Sequence, residues 1–262
     1  MYTTGVIFDI DALSTRVRIL RIKLKSEIEP TPGQFIILWA PDIGRQAFMI
    51  SDYFDRNLYL AVVDSERATS WLHRRFKRGT VVTIKGPYGR GFSTPKDKKC
   101  LIVTDDEGIA PFPFLIRRLQ DLNSKVDVVL FFKRAQNVFT LSKLGYYSIN
   151  VYTYVKELKE LKAESKLSEE VLREGEYDMV YVGGSEDIIL PLTNLCNYLQ
   201  IPCEISIDRV VRCNIAHCKY CTFESLGIMF CKDGFITSPN VIMKMCKQNL
   251  IGSAYRTKTL FP

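Results

Sequence analysis

Apolar and polar residues alternate in short bursts over the first ninety or so positions. The runs GVIFDIDAL (5–13), RVRILRIKL (16–24), FIILWA (35–40), LYLAVVD (58–64) and VVTIKG (81–86) are separated by Pro-Gly, charged or glycine-containing segments. Alternation puts every second side chain on one face of an extended chain. Several such runs at near-regular spacing predict a small β-barrel or sandwich. Between two of them, RATSWLHRRF (67–76) predicts a short helix.

Near residue 97 the pattern changes. CLIVT (100–104), VDVVLFF (126–132), INVYTYV (149–155) and DMVYVGG (178–184) are continuous β-branched and aromatic runs, as strands buried on both faces tend to be. Helix-like stretches, FPFLIRRLQDL (112–122) and LSEEVLREG (167–175), lie between them, and EDIILPLTNLCNYL (186–199) follows the last. This βαβ alternation predicts an open, mostly parallel sheet. A third segment, from about residue 206, has no long periodic element. The expected organisation is a barrel over 1–96, an α/β domain over 97–205 and a C-terminal segment over 206–262.

Composition narrows the classes. The chain has 262 residues, 47% hydrophobic and 25% charged, which suits a soluble protein of two small domains and a tail. Its net charge of +7 comes without a Lys/Arg run interleaved with aromatics, so nucleic acid is not an expected partner. No uncharged apolar stretch is long enough for a membrane span. The N-terminus lacks the basic start and apolar core of a signal peptide. A cytoplasmic location is therefore expected, and there eight cysteines point to metal or redox ligands rather than disulfides. Residues 206–262 hold eight Lys/Arg against three Asp/Glu, an excess that reads either as steering for an acidic partner or as a solvated tail.

The strongest chemical signal is CNIAHCKYCTFESLGIMFC, with Cys213, Cys218, Cys221 and Cys231 in a C-x4-C-x2-C-x9-C pattern. The first three match the plant-type spacing of a [2Fe–2S] cluster, whose ligands are four thiolates. Small or polar residues between the ligands let backbone N–H groups point at the sulfurs. A structural zinc site and unliganded thiols are the alternatives, although zinc sites more often pair two C-x2–4-C knuckles. Cys100, Cys196, Cys203 and Cys246 stand singly in apolar surroundings and read as core residues. His217 adjoins Cys218 and could replace a ligand, whereas His73 reads as a surface residue. No Ser/His/Asp or paired-carboxylate set supports hydrolysis.

Four stretches resemble the ferredoxin reductase superfamily, and within it the electron-transfer subunit of two-subunit dihydroorotate dehydrogenases. They are PGQFIILWA (32–40), GPYGRGF (86–92), GIAPF (108–112) and SIDRVVRCNIAHCKYC (206–221), with Lys232-Asp233-Gly234 after the fourth cysteine also fitting. The resemblance implies FAD in the barrel and one [2Fe–2S] cluster on Cys213, Cys218, Cys221 and Cys231. It also implies an FMN-containing catalytic partner, a heterotetrameric complex and a place in pyrimidine biosynthesis. Electrons would pass from the partner's FMN through the cluster to FAD and then to NAD⁺.

The chain departs from that family at its nucleotide motifs. The flavin motif R-P-x-S falls on Gln46-Ala47-Phe48-Met49, with Arg45 one residue early, and the second, G-x-G-T, falls on Glu66-Arg67-Ala68-Thr69. Arg45, Gln46, Phe48, Met49, Ala68 and Thr69 are the candidate flavin contacts, and FAD binding is left open. The loop G-G-G-I-G falls on Thr104-Asp105-Asp106-Glu107-Gly108. A carboxylate about 4 Å from a phosphate charge costs ~1 kcal/mol in water and ~4 kcal/mol at an effective dielectric of 20. The C-G-P-x-P-M motif is replaced by Val182-Gly183-Gly184-Ser185-Glu186-Asp187. NAD is accordingly not expected to bind, and the acceptor need not be NAD. Two other readings stay open: a subunit of a hydrogenase or NAD(P)H:ferredoxin oxidoreductase, and a non-catalytic partner whose cluster only stabilises its tail.

Overall fold

The computed structural model describes residues 2–13, 17–41, 44–63, 76–106, 108–132, 149–155, 171–207, 211 and 217–248. Six antiparallel strands close into a barrel in the order β1 (Tyr2–Ala12), β2 (Val17–Leu24), β5 (Asn57–Val63), β4 (Gly44–Phe54), β3 (Phe35–Ala40) and β6 (Val81–Tyr88). Alternation sends Ile7, Leu20, Ile22, Leu38, Phe48, Ile50, Leu60 and Ile84 into its interior. Five strands coincide with the alternating runs of the sequence. The sixth, β4, carries Arg45, Gln46, Ser51 and Asp52 among its apolar residues, and that mixture hides its period. Of the helix expected over 67–76, all but Phe76 lies outside the described residues.

The second sheet has the order β14-β11-β10-β7-β8-β9, built from β7 (Lys99–Asp105), β8 (Lys125–Phe132), β9 (Asn150–Val155), β10 (Met179–Gly183), β11 (Cys203–Ser206) and β14 (Ile236–Thr237). All neighbours are parallel except β14, which runs antiparallel to β11. The C-terminal segment thus adds a strand to this sheet. Helix α1 (Phe112–Asp121) covers one face, packing Phe112, Leu115, Ile116 and Leu119 on Cys100, Ile102 and Val128. Helix α2 (Glu186–Leu199) covers the other, packing Ile188, Ile189, Leu192 and Cys196 with Leu101, Val103 and Val180. Residues 171–174 are also helical, at the end of the stretch expected over 167–175.

Chain order along the sheet reverses between β7 and β10. That is the topological switch point at which open α/β sheets bind ligands, beyond the carboxyl ends of the strands. Barrel and sheet are joined by Arg117 of α1, which donates to Asp52 Oδ1 from Nη2 (2.6 Å) and Nε (3.0 Å), and to the Tyr53 carbonyl (2.6 Å). The Asp52 side chain is 3% exposed, so the guanidinium neutralises a carboxylate that burial would otherwise penalise. Among the described residues no helix is long and apolar enough to cross a membrane.

Candidate functional site

The nine residues between Cys221 and Cys231 fold back on themselves. Strands β12 (Thr222–Phe223) and β13 (Ile228–Met229) pair antiparallel around a 3₁₀ turn at Glu224–Leu226, closed by Gly227 in the left-handed region. The residues flanking this hairpin therefore meet. Phe230 N–H donates to the Cys221 carbonyl (3.1 Å), and Cys231 N–H donates to Cys221 Sγ (3.3 Å). Cys231 lies in α3 (Phe230–Asp233). An N–H aimed at a sulfur is the interaction that tunes thiolate metal ligands.

Cys221 and Cys231 are buried and Cys218 is exposed. Burial pushes the Cys221 thiol up to about 12, with the neighbouring Cys231 and Cys218 adding to the rise and the Cys231 N–H opposing it. Crowded thiols resist ionisation in one another's presence, and a bound cation reverses that order. Of the four expected ligands, Cys221 and Cys231 meet at the ends of the hairpin, Cys218 is exposed three residues before Cys221, and Cys213 lies outside the described residues. Among the described residues no group of three or more His, Cys, Asp or Glu side chains is placed to hold a metal ion. His217 is exposed. Cys100, Cys196 and Cys203 are buried in the two faces of the sheet, and Cys246 is half-buried.

The hairpin is seated on the barrel by glycines. A Cβ on Gly89 (φ +79°) would meet the Gly234 Cα at 2.5 Å, and one on Gly33 (φ +89°) would meet Ile236 and Phe92 at 2.8 Å. Arg90 N–H donates to the Asp233 carbonyl (3.0 Å), and the Asp233 carboxylate accepts Met229 N–H (2.7 Å). Gln34 holds the turn from beneath, donating to the Gly89 carbonyl and accepting from Thr31 N–H, both at 2.9 Å. The PGQF and GPYGRGF stretches are thus the seat of the cysteine hairpin. Aromatic rings continue the contact: Phe223–Phe230 at 5.7 Å, Phe230–Phe235 at 6.1 Å, Phe235–Phe35 at 4.7 Å and Phe35–Tyr88 at 5.7 Å. Phe235 was not singled out from the sequence, whereas Gln34 and Asp233 stood within the PGQF and Lys-Asp-Gly stretches without a role of their own.

The flavin candidates do not form one surface. Arg45 is exposed beside Trp39 in the β3–β4 register, and Met49, two pleats along on the same face, is half-buried against the sheet's cores. Phe48 points the other way, into the barrel interior, edge-on to Phe76 at 6.1 Å, and Gln46 shares its face. A strand's period of two makes this split unavoidable. Ala68 and Thr69 lie outside the described residues.

At the switch point the acidic loop is turned inward. Asp105, 2% exposed, accepts Gly108 N–H on Oδ1 (2.8 Å) and Ser185 N–H on Oδ2 (2.9 Å). Ser185 is the N-cap of α2, and Gly108 precedes α1. The carboxylate thus holds together the loops that follow β7 and β10. A Cβ on Gly184 would meet Asp105 Oδ1 at 2.6 Å, and one on Gly108 would strike the Gly184 backbone. Asp106 is buried as well, and Glu107 lies outside the described residues.

No family model matches the chain. A dihydroorotate dehydrogenase B (NAD(+)) electron transfer subunit from Clostridium acetobutylicum is 30% identical, over 82% of this chain and 87% of its own. A probable subunit of the same name from Archaeoglobus fulgidus is 29% identical, over 89% and 96%. Among solved structures, an NADH-dependent reduced ferredoxin-NADP oxidoreductase superposes with a TM-score of 0.75 at 16% identity, covering 97% of each chain. A ferredoxin reductase of carbazole 1,9a-dioxygenase superposes at 0.63 with 15% identity, covering 77% of this chain and 67% of its own. These likenesses give the fold a ferredoxin-reductase type.

Proposed function

Because this chain belongs to the family of dihydroorotate dehydrogenase B electron transfer subunits, we propose that it carries electrons away from a catalytic subunit that oxidises dihydroorotate. The observation that carries the reading is the hairpin that brings Cys221 and Cys231 together, with Cys231 N–H on Cys221 Sγ. With Cys213 and Cys218, their partners in the C-x4-C-x2-C-x9-C spacing, they would hold a [2Fe–2S] cluster, which supplies one-electron transfer when bound. The chain's own contribution is placement. The glycine seat fixes the cysteine hairpin on the barrel, and the N–H of Cys231 supplies a hydrogen bond to a ligand sulfur. A barrel-bound FAD would be held by Arg45 and Met49, the members of the candidate set on the outer wall. The partner is proposed to carry FMN, in a heterotetramer, in the cytoplasm.

The electron acceptor is proposed to be something other than NAD. Asp105 places a carboxyl group where the loops leading into the two helices would otherwise receive a phosphate, and it consumes the Gly108 and Ser185 N–H groups. We expect NADH titrated into the complex to show no saturable binding up to millimolar concentration by calorimetry. A micromolar dissociation constant for wild type would contradict the assignment. Asp105→Gly should gain at least tenfold in affinity for ADP-ribose.

Co-purification under anaerobic conditions, followed by iron, acid-labile sulfide and flavin counts per chain, tests the function itself. About two irons and two sulfides on this chain support it, and a single zinc in their place overturns it.

A further inference from the structure

The large hydrophobic side chains that stay exposed are not scattered. Seven such residues are found among the described ones, and five share one wall of the barrel: Tyr2 (68% exposed), Val6 (38%), Phe8 (43%), Trp39 (45%) and Val81 (58%). The register makes them contiguous. Val6 faces Val81 across β1–β6, Thr83 stands between Thr4 and Trp39 in the next row, and Tyr2 faces Lys85 in the row after. Three aromatic rings of about 150–250 Å² each, roughly half exposed, with two valines give an apolar surface on the order of 400 Å². Patches of this size on a monomer are often functional.

The patch is continuous with the cysteine hairpin's seat. Lys85 immediately precedes the GPYGRGF stretch and faces Ile37, two residues along β3 from Phe35, whose ring meets Phe235 at 4.7 Å. A molecule resting on the patch would therefore extend toward the hairpin's seat. The charges around it select the occupant. Lys85 lies over the Tyr2 and Tyr88 rings, and Lys77 is exposed at the Phe8 end, where Gly79 N–H and the Thr80 carbonyl bond the backbone of Ile7. Among the described residues neither lysine has a carboxylate partner, whereas Asp9 and Asp11 at the same edge are held by Arg21 and Arg78. A second copy, itself carrying +7, would bring like charges together across a two-fold axis. A partner with an apolar centre and a carboxylate rim meets no such opposition.

We infer that this wall is where the catalytic subunit docks, through an apolar surface rimmed by acidic side chains. The inference rests on the subunit reading above. An ordinary interface buries about 800 Å² per partner, so the patch has the size of its apolar centre. The test is the affinity of the purified chain, cofactors in place, for its catalytic subunit by calorimetry or sedimentation. Trp39→Glu and Val81→Glu should each weaken binding at least tenfold, with melting temperature and iron content unchanged, and Val81→Lys should weaken it less. Val81, on an exposed strand face, serves where the Trp39 variant loses stability. Wild-type affinity in Val81→Glu overturns the inference while leaving the subunit reading intact. So does a homodimer of this chain that the variants dissolve without affecting the complex. Failure of the wild-type chain to bind the catalytic subunit overturns both.

Discussion

Serine at Cys221 or at Cys231 is expected to strip iron from the chain and to cut dihydroorotate-driven reduction of a one-electron dye by at least a hundredfold. A serine hydroxyl is un-ionised at neutral pH and too hard a donor for an iron–sulfur site. The fold should survive the change. Serine's oxygen can still accept the Cys231 N–H that Cys221 Sγ accepts at 3.3 Å, and the hairpin's own backbone pairs are untouched. Melting curves and metal analysis on the same samples separate loss of ligation from loss of fold. Cys246→Ser, at a half-buried site outside the hairpin, should leave both readouts near wild type.

Alanine at Gly89 or at Gly234 is expected to unseat the hairpin without altering any ligand. Both glycines have positive φ, +79° and +90°, and an added Cβ meets the opposing backbone at 2.5–2.6 Å. A positive φ costs a non-glycine residue about 1–2 kcal/mol, Gly234 with its extended ψ of −178° lying in a region that is essentially glycine-only, and forcing apart a close-packed contact costs about 1–3 kcal/mol more. A destabilisation of about 2–5 kcal/mol should appear as a lowered melting temperature and as faster proteolysis near residues 217–233. Gly79 supplies the control, since its φ is +84° but nothing stands within 4 Å of its Cβ direction. Gly79→Ala should incur only the conformational part.

Much of the architecture could be read from periodicity, because a strand with one buried face and a strand with two leave different patterns. The five alternating runs and the four continuous ones all became strands. β4 escaped because its polar residues answer to neighbours rather than to solvent: Asp52 is buried against Arg117, and no local pattern records that partner. The helix at Pro239–Lys247 (α4) and the two-residue strand β14 were also missed. They are short, and their burial is decided by contact with α2 and β11. The nine-residue gap before Cys231 became intelligible only as a hairpin. At the switch point the sequence suggested repulsion between the acids and a phosphate. The structure adds that Asp105 already occupies the N–H groups a phosphate would need. For Phe48, alternation along β4 was the missing argument, since its neighbours Ala47 and Met49 had to face the other way.

If this chain takes electrons that begin on dihydroorotate, and its own cysteines hold the group that receives them, that group must be reduced when the substrate is added. Anaerobic titration of the purified complex with dihydroorotate, followed by electron paramagnetic resonance, tests it most directly. A reduced-cluster signal should grow in proportion to dihydroorotate and be absent from the Cys231→Ser complex. A complex that retains its iron but shows no cluster signal at any dihydroorotate concentration would contradict it.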